Sequence, residues 1–220
     1  MRRHPALVLL LPLLAMIAPS PAASARTHAP QGGIDPPPAP VGLRLNELDY
    51  DQPSFDTAEF VEIVNVSDRR YRLGQVSLVF VNGSTSAEYR RVQLSGRLGP
   101  SRRLVAATAA VPVDGSARVI SLPLSRNNIQ NGSPDGVALV DTANRVILDA
   151  LSYEGSIHEA VIEGFPGTWS LVDGNAMTEA DDGDVTGSVC RLPDRTDTGD
   201  DDHDWSSCTP TPGAENAPRA

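Results

Sequence analysis

The sequence predicts an all-β fold, an antiparallel β-sandwich, on three observations. Short apolar runs recur roughly every ten to fifteen residues, 18 Gly and 19 Pro punctuate the 220 residues, and no window of twelve or more residues carries a clean helical period. With 40% hydrophobic and 21% charged residues the chain can bury a real core, which excludes collagen, coiled coil, a multispan membrane protein and disorder along its whole length. An open barrel is the nearest competing architecture.

Taken in order, the first element is an address signal. Arg2 and Arg3 precede an apolar run from Ala6 to Ala18, broken only by Pro12, and small residues follow to Ala23, Ser24 and Ala25, so residues 1–25 read as a secretory signal peptide cut after Ala25. The 13 apolar residues fall short of the roughly 20 needed to cross a bilayer. No cysteine follows to accept a lipid, and PGAENAPRA at the end is neither an apolar tail nor a sorting signal, so a secreted, extracellular chain without a membrane anchor is expected. Residues 26–42, RTHAPQGGIDPPPAPVG, lack apolar periodicity and read as an extended Pro-rich linker.

The folded unit is expected over residues 43–216, with 217–220 as a tail. Its strand-like runs are LRLNEL, EFVEIVNV, VSLVFVN, RRVQL, RLVAAT, ARVISLPL, GVALVD, RVILDALSY, AVIEGF and TWSLV. Turn signals separate them, including DQPS, SDRR, VNGS, NGSPDG and DTAN. Alternation places Phe60, Glu62 and Val64 opposite Val61 and Ile63. After Asp173 the texture changes to a long acidic C-terminal loop region, with Val189, Leu192 and Trp205 as apolar pegs. Cys190 and Cys208, in an oxidising compartment, are expected to form one disulfide that closes this loop. Two separate buried thiols are the competing reading.

Charge is unevenly placed: the formal net charge is −10, residues 179–220 contribute −8, and residues 69–103 hold eight Arg against the single acid Glu88. Overall acidity argues against general polyanion binding and makes nucleic acid an unlikely partner, while a local arginine surface remains available to a specific one.

The opening LRLNELDY, the pair EFVEIVN, SPDGVALVD followed by RVILDALSY, and the closing DTGDDDHDW with TPTPGAEN together resemble the lamin-tail domain family in its bacterial secreted form. The resemblance covers roughly residues 43–216 and lies in the order and spacing of the motifs, since none is specific alone. It implies an immunoglobulin-like β-sandwich and a non-enzymatic module for interaction with a protein or cell-surface component. Residues 154–188 are longer than the family's usual link, which puts the pairing of AVIEGF and TWSLV in doubt.

Three constellations bear on chemistry. Asp194, Asp197, Asp200, Asp201, Asp202 and Asp204 crowd one loop, so either water with Arg191 and Arg195 screens them or Ca²⁺ gathers several oxygens, with Asp197, Asp200, Asp202 and Asp204 as the candidate ligands of a calcium-dependent adhesion or matrix protein. The spacing is not that of an EF-hand. Asp181, Asp182 and Asp184 around Gly183 form a weaker candidate of the same kind. Arg90 with Arg91 and Arg102 with Arg103 would form an outward row for a polyanion if their strands are neighbours. No G-x-S-x-G elbow appears, and Glu47, Glu59 and Glu62 read as sheet-face or edge residues, so an enzyme, for instance a hydrolase, is not expected.

Overall fold

A computed structural model describes residues 30–31, 42–181, 183 and 186–219; the expected signal peptide lies outside these, as does most of the expected linker. Fifteen strands and one short helix follow in order. They are β1 (Pro30–Gln31), β2 (Leu43–Asp49), β3 (Phe60–Asn65), β4 (Tyr71–Arg72), β5 (Val76–Asn82), β6 (Ala87–Gln93), β7 (Arg97–Leu98) and β8 (Arg103–Ala107). Then come β9 (Arg118–Ser121), β10 (Asp135–Asp141), β11 (Val146–Tyr153), β12 (Thr168–Trp169), β13 (Ser188–Arg191), α1 (Asp201–Asp204), β14 (Trp205–Thr209) and β15 (Ala217–Pro218).

Two sheets dominate: a seven-stranded one, ordered β15-β14-β13-β2-β3-β8-β9, and a four-stranded one, ordered β11-β10-β5-β6. Pairing is antiparallel except where β9 runs parallel to β8. Two two-stranded ribbons, β1-β12 and β4-β7, complete the pairing. The all-β sandwich expected from the apolar runs is therefore present. The linker expectation changes at one point, because Pro30 and Gln31 pair with Trp169 and Thr168. The expected tail changes too, since Ala217 and Pro218 pair with Thr209 and Cys208.

The core between the sheets takes Leu45, Val61, Ile63, Leu104, Ala106, Val189 and Trp205 from one side and Leu78, Phe80, Val137, Leu139, Leu151 and Tyr153 from the other. Each Val, Leu, Ile or Phe among them contributes about 2 kcal/mol of transfer free energy. A bulge between Leu45 and Glu47 resets the alternation in β2, so Leu45 and Leu48 both face the core. The segment after β11 supplies a third layer: Ile157, Ala160, Ile162, Trp169 and Leu171 cover Val79, Val81, Ala138, Val140 and Ile147 on the outer face of the four-stranded sheet. That is the role of the long insertion. AVIEGF, expected as a strand, makes only isolated bridges at Ala160 and Val161.

The segment expected as one acidic loop is bounded by two paired strands, β13 and β14, with the Cys190–Cys208 disulfide between them. Trp169 and Trp205 are both fully buried packing residues.

Candidate functional site

The outer face of the seven-stranded sheet gathers an unusual number of polar side chains under cover. Strand alternation aims Glu47 of β2 and Glu62 of β3 to this side, directly opposite each other in the ladder. Two like charges in that position repel, and both residues are fully buried, so each needs donors. Glu47 accepts from Ser188 Oγ at 2.7 Å, Thr211 N at 2.8 Å and Thr211 Oγ1 at 3.0 Å. Glu62 accepts from Asn46 Nδ2 at 2.7 Å, Gly213 N at 2.7 Å and Arg103 Nε at 2.9 Å. Burial pushes Glu62 up to about 7, against the opposing pull of Asn46, Gly213 and Arg103. Burial raises Glu47 too, and its donors offset part of that rise.

Asn46 sits at the bulge and links the two halves of this network. Its Nδ2 also donates to Asp194 Oδ1 at 2.9 Å, and its backbone carbonyl accepts from Asn216 Nδ2 at 2.9 Å. The LRLNEL, EFVEIVN and TPTPGAEN runs therefore meet: the first two supply carboxylates, and the last lays backbone N–H groups onto them. Glu59 works the same way elsewhere, holding Asn128 N at 2.8 Å and Ile129 N at 2.6 Å. Glu47 and Glu62 are thus the sheet-face residues expected, but buried ones that act as clamps because the C-terminal segment folds over them; Glu59 lies just before β3 and is covered by the loop before β10.

Asp49 and Asp181 form a buried carboxyl pair beside this network. Asp181 accepts from Tyr50 N at 2.9 Å and Asp51 N at 3.1 Å, and Gln52 donates to Asp49. Burial first, and then the neighbouring acid, pushes Asp49 upward, so the pair retains a proton at neutral pH. Asp182 and Asp184, the other members of that candidate set, lie outside the described residues.

Arg191 organises the acidic segment. It is 2% exposed, donates through Nε to Leu45 O at 2.9 Å and through Nη1 to Thr196 O at 3.0 Å, and lies over the Trp205 ring with Cζ 4.8 Å from its centroid. Its Nη2 reaches Asp149 Oδ1 of β11 at 3.2 Å and its Nη1 reaches Asp204 Oδ2 at 3.3 Å, so a single guanidinium ties β13 to the other sheet and to α1.

The four aspartates expected to share a calcium ion each have a different protein partner. Asp197 pairs with Arg44 at 2.8 Å, Asp200 accepts from Asn175 Nδ2 at 2.6 Å, Asp202 from Thr178 Oγ1 at 2.7 Å, and Asp204 from Thr198 N at 2.7 Å as well as Arg191. Among the described residues no group of three or more His, Cys, Asp or Glu side chains is arranged to hold a metal ion.

The expected arginine row does not form, because β6 and β8 belong to different sheets. Arg90 turns to the carbonyls of Asn127 and Asn128, and Arg91 to Glu88. Arg102 donates to Ser116 O, and Arg103 joins Glu62 and Asp194. Among the described residues, Arg72 and Arg97 of the β4-β7 ribbon and the neighbouring Arg70 hold no hydrogen bond or ion pair. They belong to the basic block of residues 69–103.

No protein-family model and no curated protein sequence matches this chain.

Proposed function

We propose that this chain is a secreted, non-enzymatic β-sandwich module of the lamin-tail, immunoglobulin-like kind, with a structural or binding role toward a protein or cell-surface component. The observation that carries the reading is the meeting of Asn46, Glu47 and Glu62 with Thr211, Gly213 and Asn216. These are the polar residues of the runs that resemble the family, and they act there as a fastening. Their lone pairs are occupied by backbone and side-chain donors away from solvent, which suits stability rather than proton transfer to a substrate.

Export is supported by the basic, apolar and small-residue succession at residues 1–25 and by the Cys190–Cys208 bridge, which persists in an oxidising compartment. The test sets Glu62→Gln, which preserves shape, beside the wild type in a panel of nuclease, esterase and glycosidase substrates and in thermal melts. The reading expects no turnover from either protein and a lower melting temperature for the variant. Wild-type turnover that Glu62→Gln abolishes refutes it.

A further inference from the structure

The ribbon β4-β7 places Arg72 directly across from Arg97. Like charges opposite each other in an antiparallel ladder destabilise it, yet among the described residues the guanidiniums of Arg70, Arg72 and Arg97 hold no hydrogen bond and no ion pair. Two hollows of about 550 and 430 Å³ open beside the ribbon and share Arg72 and Gln75 in their walls. Arg69, Arg70 and Arg97 complete the basic lining.

A fifth arginine approaches from β9. Gly96 has φ +78°, and a Cβ there would lie 2.6 Å from Arg118 Nη1, so the missing side chain lets this guanidinium rest against the backbone next to Arg97. Two acids also line the hollows. Asp68 meets Arg69 at 3.5 Å with both side chains 89% exposed, a contact of little strength. Asp141 is occupied by Ala143 N, Asn144 N and Asn144 Nδ2. The arginines therefore keep an excess of unspent positive charge on a chain whose net charge is −10.

We infer that this groove is a binding site for a linear polyanion carrying sulfate or phosphate groups, gripped through its oxyanions by Arg69, Arg70, Arg72 and Arg97. Two adjoining hollows fit a chain of anions better than a single one. The planar guanidinium fork matches a tetrahedral oxyanion, and an anion seated between Arg72 and Arg97 relieves their repulsion. Tyr71 is the groove's one aromatic wall and packs against the core, so stacking of nucleic-acid bases finds no platform. The inference goes beyond the proposed function and stands on the groove alone.

The test is fluorescence anisotropy of the purified chain with labelled heparin, inorganic polyphosphate and single-stranded DNA, at about 50 and about 200 mM salt. The groove predicts binding of heparin, polyphosphate or both, with a log–log salt slope of about −3 for four contacts. Arg72→Ser with Arg97→Ser weakens binding about tenfold or more and flattens the slope. Arg90→Ser with Arg126→Ser removes the same charge away from the groove and leaves affinity within about twofold. Arg97→Glu gives a second variant: it pairs with Arg72, melts no lower than the wild type, and still loses binding. Heparin alone marks a sulfated glycan as the source, polyphosphate alone a phosphorylated polymer. Binding to DNA only, binding to none of the three, or equal losses in the groove and control variants overturns the inference.

Discussion

Replacing Arg191 by Met tests the account of the acidic segment most directly. The substitution keeps an apolar stem over Trp205 and removes the charge, leaving Asp149 and Asp204 facing each other's field across a site that is 2% exposed at the arginine and 1% at Asp204. Deleting one partner of a buried pair costs about 3–5 kcal/mol, because the carboxylates keep their hydrogen-bond donors but lose the counter-charge between them. For a domain of this size that lowers the melting temperature by roughly 10 °C. The comparison is Arg44→Ala, which removes the ion pair to Asp197. That pair is shorter, 2.8 Å against 3.2 and 3.3 Å, but its side chains are 15% and 22% exposed. If burial governs the energy, Arg44→Ala costs only about 1 kcal/mol despite the closer contact. Urea denaturation followed by far-ultraviolet circular dichroism ranks the two. A loss below about 1 kcal/mol for Arg191→Met, or a larger loss for Arg44→Ala, refutes the argument.

Other outcomes follow from the same reasoning. The folded Asp49–Asp181 pair holds a proton that the unfolded chain releases above about pH 4, so stability falls as pH rises from there through neutrality. In Asp49→Asn an amide N–H replaces the shared proton; the slope of urea midpoint against pH between about 6 and 8 should flatten, and an unchanged slope counts against the pair. Gly213→Ala forces a Cβ to 2.9 Å from Ala117 Cβ at a residue with φ +94°, and displaces the N–H that serves Glu62. A cost of about 2 kcal/mol or more is expected, and a melt unchanged from wild type contradicts the clamp. Calcium titration should be thermally silent at about millimolar concentration, because Asp197, Asp200, Asp202 and Asp204 are already partnered; saturable heat lost in Asp200→Ala would reverse this.

Much of the sandwich was legible because its inner strands are continuous apolar runs. VSLVFVN coincides with β5, and GVALVD and RVILDALSY fall within a residue of β10 and β11. SVCR and WSSCT escaped notice as strands since each offers the core little beyond Val189 or Trp205, and their polar neighbours look like a loop. AVIEGF failed in the other direction: its apolar residues pack as a cover on a sheet already paired, so burial rather than strand pairing explains them. The burial of Glu47 and Glu62 could not be read from alternation, which gives a side chain's face but not what lies above it. Nor could the fate of Arg90, Arg91, Arg102 and Arg103, which depends on which strands become neighbours, a long-range matter that local periodicity does not encode.

The middle of the larger sheet joins β2, made early in synthesis, to β13 and β14, made late. The seven strands from β3 to β9 that lie near it in sequence cannot supply those partners, so one flank of β2 stays without its neighbour until β13 arrives, and Glu47 and Glu62 stay uncovered until residues 211–213 do. Closure is thus a final event that waits on the finished polypeptide, and contacts of such long sequence separation make it slow. A chain emerging from a ribosome can complete the four-stranded sheet once Tyr153 is out, but the larger sheet keeps an open flank until the last thirty or so residues follow.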